Sequence, residues 1–407
     1  MSRIEIAEND RLGRVDVLTQ DVASALAATR LVELRPEGPD RWRLTPLTSV
    51  VGAVRVGDVD VVVRPKAPFA SVLFMLGYAR DPGLAPDEFA GTEDDDLWPL
   101  VGETLARLAG MALLRGALQG YVTRDDSLAV LKGRLRIADQ IARRPGLLLP
   151  AEVRFDEYDI DIPENRILRT ALHRLALVPR MPTDLRRRLT HLAGRLDGAA
   201  LLKAGSALPP WRPSRLNQRY VPALRLATIV LRRTGLAASA GGQPVASFVV
   251  NMATVFEDFL TTALTESFAR ISTGRTVGQY PAQLDAASRI DIRPDIVHLS
   301  GGRPQTVLDA KYKLGDDSGG YPTADLYQMH SYCTVLGLRC GYLVYAGSKG
   351  QQATAHQHII RNTDIAVITW PLNVSAAPQE LLGQVHALAR TSLQNAQAAS
   401  AAASFTA

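Results

Sequence analysis

The sequence is poor in cysteine and in long apolar runs, and each shortage excludes a class of protein. Two cysteines among 407 residues, Cys333 and Cys340, are too few for a disulfide framework or a cysteine-based metal site. We expect both to be reduced core residues, which favours a cytoplasmic protein. No run of eighteen uncharged apolar residues occurs, so no membrane-spanning helix is expected. The N-terminus is charged from its first residues, unlike a secretory signal.

Lysine is also scarce. Only six lysines occur against forty arginines, and two of the six are Lys311 and Lys313. A lysine carries a compact ammonium charge, whereas an arginine carries a planar, delocalised one. In a chain that uses arginine almost everywhere, a lysine inside an acidic cluster therefore indicates that a point charge is needed at that position.

The positive charge is concentrated in the first part of the chain. Residues 1–240 carry a net charge of +6, and residues 241–407 carry a net charge of −1. Within the first part, residues 183–235 hold eleven basic and two acidic side chains. Such a patch could contact DNA phosphates, and a solvated helix face explains it equally well.

The spacing of apolar residues divides the chain into segments. Residues 1–66 have the alternation and turns of a β-rich domain, and residues 67–236 are mostly helical in pattern. Small residues at 237–244 predict a domain boundary. Residues 245–398, with a first helix expected at Phe248–Ile271, then predict a small α/β layer fold. Residues 399–407 should be a flexible tail. The expected fold class is thus multi-domain α/β.

The most informative stretch is 289–314. Pro294-Asp295 and Asp309-Ala310-Lys311 lie on two apolar runs that Gly301-Gly302 separates, a pattern that predicts a β-hairpin. The hairpin would return Asp295 to the neighbourhood of Asp309. Because side chains alternate along a strand, Asp309 and Lys311 should point to the same face.

The chemistry of these residues suits a metal site. Asp295 and Asp309 supply the hard oxygen ligands that Mg²⁺ or Mn²⁺ prefers. A bound cation could activate water against a phosphodiester, and Lys311 could stabilise the negative charge that develops. Two structural salt bridges, with Lys311 or Arg293 as the partner, remain the alternative explanation.

The helices on either side of the hairpin contribute further candidates. Glu257 has large apolar neighbours in the sequence, and a buried acid needs a partner, which a metal ion would provide. Asp325, Gln328 and Tyr332 are spaced to share one face of the following helix. We expect these three side chains either to contact DNA or to order Lys311.

The succession of these motifs resembles a known nuclease domain. A helix acid, a PD strand, a DAK strand and a helix with QxxxY follow one another in residues 249–345, as in the PD-(D/E)XK nucleases. Gln328 and Tyr332 resemble the QxxxY motif of their RecB-like branch. The whole chain resembles the McrC family, the nuclease subunits of McrBC-type modification-dependent restriction systems. Further similar segments are RPK (64–66) with the helix after it, LKGRL (131–135) and FDEYDIDIPENRIL (155–168).

The McrC resemblance implies a function and a set of site residues. It implies a Mg²⁺- or Mn²⁺-dependent DNA endonuclease for antiviral defence, activated by a McrB-like AAA+ GTPase that contacts the N-terminal region. Asp295, Asp309 and Lys311 map onto the catalytic triad, and Glu257 maps onto the helix acid. The chain has no GxxxxGK[ST] loop, which fits a subunit that relies on a separate NTPase. The alternatives are a RecB-like DNA repair nuclease and a non-catalytic adaptor that stimulates an AAA+ NTPase.

Overall fold

The computed structural model describes residues 2–79, 96–238, 244–312, 323–347 and 354–405. The strands are β1 (Ser2–Ala7), β2 (Arg14–Val17), β3 (Val32–Gly38), β4 (Arg41–Pro46), β5 (Val50–Val56), β6 (Val59–Arg64), β7 (Gly120–Leu128), β8 (Arg134–Leu135), β9 (Ala151–Asp159), β10 (Thr234–Ala238), β11 (Pro244–Asn251), β12 (Arg275–Gly278), β13 (Ala282–Gln283), β14 (Asp291–Ile292), β15 (Ile296–Ser300), β16 (Arg303–Lys311), β17 (Cys340–Gly347), β18 (His356–Ile359) and β19 (Ala366–Asn373). The helices are α1 (Gln20–Ala28), α2 (Phe69–Tyr78), α3 (Leu97–Ala112), α4 (Ile137–Arg143), α5 (Pro163–Ala176), α6 (Thr183–Gly194), α7 (Val221–Arg233), α8 (Met252–Ile271), α9 (Thr323–Leu336) and α10 (Pro378–Phe405).

The chain folds into two compact units. One is built from Met1–Leu97 together with Arg233–Ala407, and the other is Trp98–Arg232. Strands β10 and β11 join the sheet of β1, β5 and β6, so the β-rich N-terminal segment shares a unit with the C-terminal α/β segment. Of the boundary expected at 237–244, residues 239–243 lie outside the described residues.

The N-terminal sheet of the first unit has the strand order β1-β6-β5-β11-β10. Strands β1 and β6 are parallel, and the other neighbours are antiparallel. Strands β5 and β6 form a hairpin that turns at Gly57-Asp58, where Val56 pairs with Val59. In β5, Gly52 has φ 145°, and a Cβ there would overlap the carbonyl oxygen of Phe248 on β11. Only glycine therefore allows β11 to lie so close.

The helix expected at Phe248–Ile271 begins later than predicted. Residues up to Asn251 belong to β11, and α8 starts at Met252. Val249 and Val250 favour a strand, while Asn251 caps the helix. Its side-chain oxygen accepts hydrogen bonds from the backbone N–H groups of Ala253 (2.9 Å) and Thr254 (3.3 Å).

A six-stranded sheet with the order β12-β15-β16-β17-β19-β18 forms the core of the C-terminal segment. Its central pairs, β16–β17 and β17–β19, are parallel, and the outer pairs are antiparallel. Helix α9 packs on this sheet through Met329, Tyr332 and Cys333, while α8 and α10 also contact β16. The expected α/β layer fold is confirmed.

The C-terminal helix α10 is longer than expected. It continues to Phe405, so residues 399–405 are helical where a flexible tail was predicted. No helix in the described ranges is both long and apolar enough to cross a membrane.

The second unit combines helices with a three-stranded sheet of order β7-β9-β8. The FDEYDIDIPENRIL segment forms the end of β9 and the start of α5. Asn165 in this segment is fully buried, and its amide donates to the carbonyl oxygens of Leu118 and Ile160, each at 2.7 Å. The side chains of Asp161 and Arg166 form a two-pronged ion pair with both contacts at 2.6 Å. These residues thus fix the junction between strand and helix.

Candidate active site

The predicted hairpin is present as β15–β16. Ser300 pairs with Arg303 across Gly301 and Gly302, whose φ angles of 57° and 76° fit a type I′ turn. The pairing brings Asp295, which precedes β15, to the carboxyl end of β16. There its Oδ2 accepts a hydrogen bond of 2.9 Å from the backbone N–H of Ala310.

Asp309 and Lys311 lie on one face of β16, as strand alternation predicts. Their side chains are 3% and 14% exposed, and the Lys311 Nζ forms an ion pair with Asp309 Oδ2. Apart from this ion pair, Asp309 Oδ2 is buried and has no hydrogen-bond partner among the described residues. An ionised carboxylate has about four lone-pair sites, so the Asp309 carboxylate can still bind a cation while it contacts Lys311.

The carboxylates around Lys311 carry more negative charge than the lysine can balance. Burial raises the pKa of Asp309 to about 6, and the neighbouring charge of Asp295 adds to the rise, against the effect of Lys311. Burial likewise raises the pKa of Asp295, and the charge of Glu257 contributes. A divalent cation would relieve this repulsion, because it favours the ionised form of every carboxylate near it.

Glu257 reaches this group through an intermediary, Gln279. The Gln279 amide nitrogen lies 2.5 Å from Glu257 Oε1 and 3.0 Å from Asp295 Oδ1. Burial raises the pKa of Glu257, and the hydrogen bond from Gln279 opposes that rise. The sequence reasoning missed Gln279, which follows β12 and belongs to none of the motifs.

The three acids do not by themselves surround a cation. In the part of the chain that the structure describes, no group of three or more His, Cys, Asp or Glu side chains is arranged to hold a metal ion. Mg²⁺, however, commonly uses one or two carboxylates and completes its shell with water and substrate phosphate. Asp295 and Asp309 fit that requirement.

Helix α9 orders the lysine. Lys311 Nζ donates to Gln328 Oε1 at 2.8 Å, and Gln328 Nε2 donates to the Tyr332 hydroxyl at 2.9 Å. Burial raises the pKa of Tyr332 to about 12, so its hydroxyl stays protonated at neutral pH. This helix face was expected either to contact DNA or to order Lys311. The contacts of Gln328 and Tyr332 match the second role.

Asp325 occupies the same helix but binds elsewhere. It is 4% exposed and accepts a hydrogen bond of 2.9 Å from the Tyr345 hydroxyl on β17. Its charge also contributes to the raised pKa of Asp309. Asp325 therefore adds to the negative potential of the site without contacting Lys311.

The opposite face of the end of β16 carries a second group, here named the rear cluster: Glu8, Lys66 and Tyr312. The Tyr312 hydroxyl donates to the Glu8 carboxylate, at 3.0 Å from one oxygen and 3.1 Å from the other. The backbone N–H of Lys66 also donates to Glu8 at 3.0 Å, and the Lys66 ammonium lies 4.0 Å from the centre of the Tyr312 ring. The RPK segment thus ends in this cluster, whose other two members no sequence motif indicated.

The basic patch of residues 183–235 is partly neutralised within its own unit. Arg187 pairs with Asp184 at 2.9 Å, and Arg188 pairs with Glu103 at 2.7 Å. Arg186 donates to the Val178 carbonyl oxygen at 3.4 Å. A DNA-contacting role for these arginines would therefore have to compete with contacts that already exist.

Fold and site together define a mixed α/β protein with an acidic centre that contains one lysine. The family model described as "McrBC 5-methylcytosine restriction system component" matches residues 46–346. Because this match covers most of the sequence, the chain belongs to the McrBC family. The resemblance expected from the motifs is confirmed at this level.

Two solved structures from Thermococcus gammatolerans are similar to the chain. One is the refined half-complex from a tetradecameric assembly of McrB AAA+ hexamers with bound McrC, with a TM-score of 0.60 and 18% identity over 95% of this chain and 90% of that chain. The other is the cryo-EM structure of the McrBC complex, with a TM-score of 0.40 and 17% identity over 66% and 88% of the two chains. At 18% identity, the first match demonstrates a shared fold. No curated protein matches the sequence.

Proposed function

We propose that the chain is the DNA-cleaving subunit of a McrBC-type restriction system. It would hydrolyse phosphodiester bonds in modified DNA with Mg²⁺ or Mn²⁺, when an AAA+ GTPase partner activates it. Family membership supports the restriction system, and the McrB AAA+ hexamers with bound McrC in the similar structure suggest the partner. The observation that carries the nuclease assignment is the buried Asp309 carboxylate, which contacts the Lys311 ammonium and lies close to the second carboxylate, Asp295.

Asp295 and Asp309 are the residues that would hold the cation. When bound, Mg²⁺ supplies a water of lowered pKa and neutralises charge on the scissile phosphate. The Ala310 N–H keeps Asp295 turned towards the end of β16. Because both carboxylates have raised pKa values without a cation, their affinity for the metal should fall as the pH drops and protons compete.

Lys311 would stabilise the negative charge that develops on the phosphate and orient the attacking group. An ammonium on a flexible stem does this well only when other groups restrict it. Asp309 and Gln328 supply that restriction from two sides. Tyr332 in turn fixes the orientation of the Gln328 amide, so the QxxxY pair would act through the lysine rather than on DNA.

The proposal is tested by a cleavage assay of the full chain with Mg²⁺, with and without its AAA+ partner, on methylated and unmethylated DNA. We expect cleavage of methylated DNA when the partner and GTP are present. Cleavage of unmodified DNA without an AAA+ partner would instead support a repair nuclease. Stimulation of the partner's GTP hydrolysis without any cleavage would support the non-catalytic adaptor.

A further inference from the structure

Gln279 has an unusual backbone conformation that no packing of its side chain explains. Its φ angle is 48°, in the left-handed region that residues other than glycine rarely adopt, and its side chain is exposed. Because the side chain is not packed in a core, the burial of apolar surface cannot be what holds this conformation. The hydrogen bonds around Gln279 offer another explanation.

The main chain at Gln279 is tied to the segment that carries Asp295. The N–H of Gln279 donates to the carbonyl oxygen of Asp295 at 2.8 Å, and the N–H of Tyr280 donates to that of Pro294 at 2.9 Å. These bonds place the Gln279 side chain beside the carboxylates of Glu257 and Asp295. The strained backbone therefore directs this side chain at the carboxylates.

The amide of Gln279 joins two acids that would otherwise repel each other. Its nitrogen donates to Glu257 Oε1 at 2.5 Å and to Asp295 Oδ1 at 3.0 Å. Ionised carboxylates only accept hydrogen bonds, so the nitrogen end of the amide must face them. Among the described residues, no other side chain donates a hydrogen bond to Glu257. Without the amide, repulsion would favour rotation of the half-buried Glu257 towards water.

We propose that Gln279 is a positioning residue that makes Glu257 a member of the metal site. This inference rests on the proposed function, because it takes Asp295 and Asp309 as the cation ligands. The Gln279 amide donates to both Glu257 and Asp295 and so connects the helix acid to the proposed cation ligand. The contribution of Glu257 to cation binding then depends on the presence of Gln279.

A double-mutant cycle on the full chain, with Mn²⁺ binding measured by titration calorimetry, tests this dependence. Gln279→Ala and Glu257→Ala should each weaken Mn²⁺ binding by roughly 10- to 100-fold, the usual loss when a supporting residue of a metal site is removed. The double variant should bind no more weakly than Glu257→Ala alone, because the two residues act as one unit. Losses that multiply in the double variant would overturn the proposal.

Two glycine variants separate the side chain from the backbone. Gln279→Gly relieves the left-handed strain, so it should raise the melting temperature while still losing Mn²⁺ affinity. Ser288→Gly is the matched control, because Ser288 is exposed and has φ 55° in the same unit. It should raise the melting temperature and leave Mn²⁺ binding unchanged. Wild-type affinity in Gln279→Gly would contradict the proposal.

The outcomes also separate this inference from the proposed function. A wild-type protein that shows the predicted coupling in Mn²⁺ binding but never cleaves DNA would keep Gln279 in its role and overturn the nuclease assignment. If the wild type cleaves DNA but the two variants lose Mn²⁺ affinity independently, the nuclease assignment would stand and the role of Gln279 would be overturned. No Mn²⁺ binding by the wild type would overturn both.

Discussion

The two faces of the end of β16 carry two lysine–carboxylate clusters that differ in charge balance. The front cluster, Asp295, Asp309 and Lys311, has two carboxylates for one ammonium, and Lys311 pairs with Asp309. In the rear cluster, the single carboxylate of Glu8 accepts from the Tyr312 hydroxyl and the Lys66 N–H, while the Lys66 ammonium rests on the Tyr312 ring.

The difference indicates what each cluster can do. A group with surplus negative charge is stabilised by an added cation, whereas a group whose donors and acceptors match needs no further partner. The front cluster is therefore suited to metal chemistry. The rear cluster is suited to fixing Tyr312 and, with it, the adjacent Lys311. Because the rear cluster joins the end of β16 to the ends of β1 and β6, it ties the N-terminal sheet to the site.

Short of removing a proposed cation ligand, the largest expected effect is that of removing the ammonium from the front cluster. Lys311→Met should lower the rate of DNA cleavage by roughly 10²- to 10³-fold, as expected when one group that stabilises developing charge is lost. Mn²⁺ binding should persist, because both carboxylates remain. The exposed Lys203→Met is the control and should cleave normally. Loss of Mn²⁺ binding in Lys311→Met would instead make the lysine a structural partner of Asp309.

The next largest effect should be a dependence of the free energy of unfolding on pH that comes from the front cluster. The folded-state pKa of Asp309, about 6 without metal, lies above its ordinary value of 3.8. The unfolded chain therefore releases this proton first, and stability that is present below pH 4 is lost as the pH rises through 6. At 1.36 kcal/mol per pKa unit, the loss is on the order of 3 kcal/mol.

Unfolding by urea in EDTA, at pH values from 4 to 7, measures this loss. Asp309→Asn should remove it, so the variant should gain stability relative to the wild type as the pH rises. Parallel curves for the two proteins would show that Asp309 is not the group responsible, and the contrast between the two clusters would then lose its electrostatic basis.

A smaller effect is expected at the residues that order the lysine. Gln328→Ala should reduce the cleavage rate by roughly 10-fold, because it removes the hydrogen bond that the Lys311 ammonium donates to Gln328, worth about 1.5 kcal/mol for a bond with a charged group. Tyr332→Phe should have a weaker effect of the same kind, with the exposed Tyr327→Phe as its control. Saturation with DNA that restored the wild-type rate would assign Gln328 to substrate binding instead.

The rear cluster should give the smallest effect, and it should appear in stability alone. Tyr312→Phe keeps the ring beneath the Lys66 ammonium but removes the hydroxyl from Glu8, which should cost about 1 kcal/mol in the free energy of unfolding. Mn²⁺ affinity, measured by calorimetry, should not change. A marked loss of Mn²⁺ affinity would mean that the two clusters are not separate in function.

The local patterns of the sequence predicted the front cluster well. A Gly-Gly turn and strand alternation act over a few residues, and they placed Asp295, Asp309 and Lys311 correctly. Asp325, Gln328 and Tyr332 likewise lie on one helix, α9, as their spacing predicted. Glu8 was missed because its contact with Tyr312 joins positions 304 residues apart, which no local pattern records.

The remaining differences also come from long-range pairing. The boundary expected at 237–244 lies beside two strands that the first unit recruits, because β11 pairs with β5. Gln279 was missed for a different reason. Its role depends on a left-handed backbone, and sequence gives little warning of that conformation when the residue is not glycine.

The proposed role of the front cluster as a cation-dependent site for cleaving DNA has one most direct test. It is the cleavage of methylated DNA by the full chain with its AAA+ partner and Mg²⁺, comparing the wild type with Asp309→Ala. We expect cleavage by the wild type that EDTA abolishes, and no detectable cleavage by Asp309→Ala, which should still bind the partner. Cleavage that survives in Asp309→Ala would contradict the proposed role.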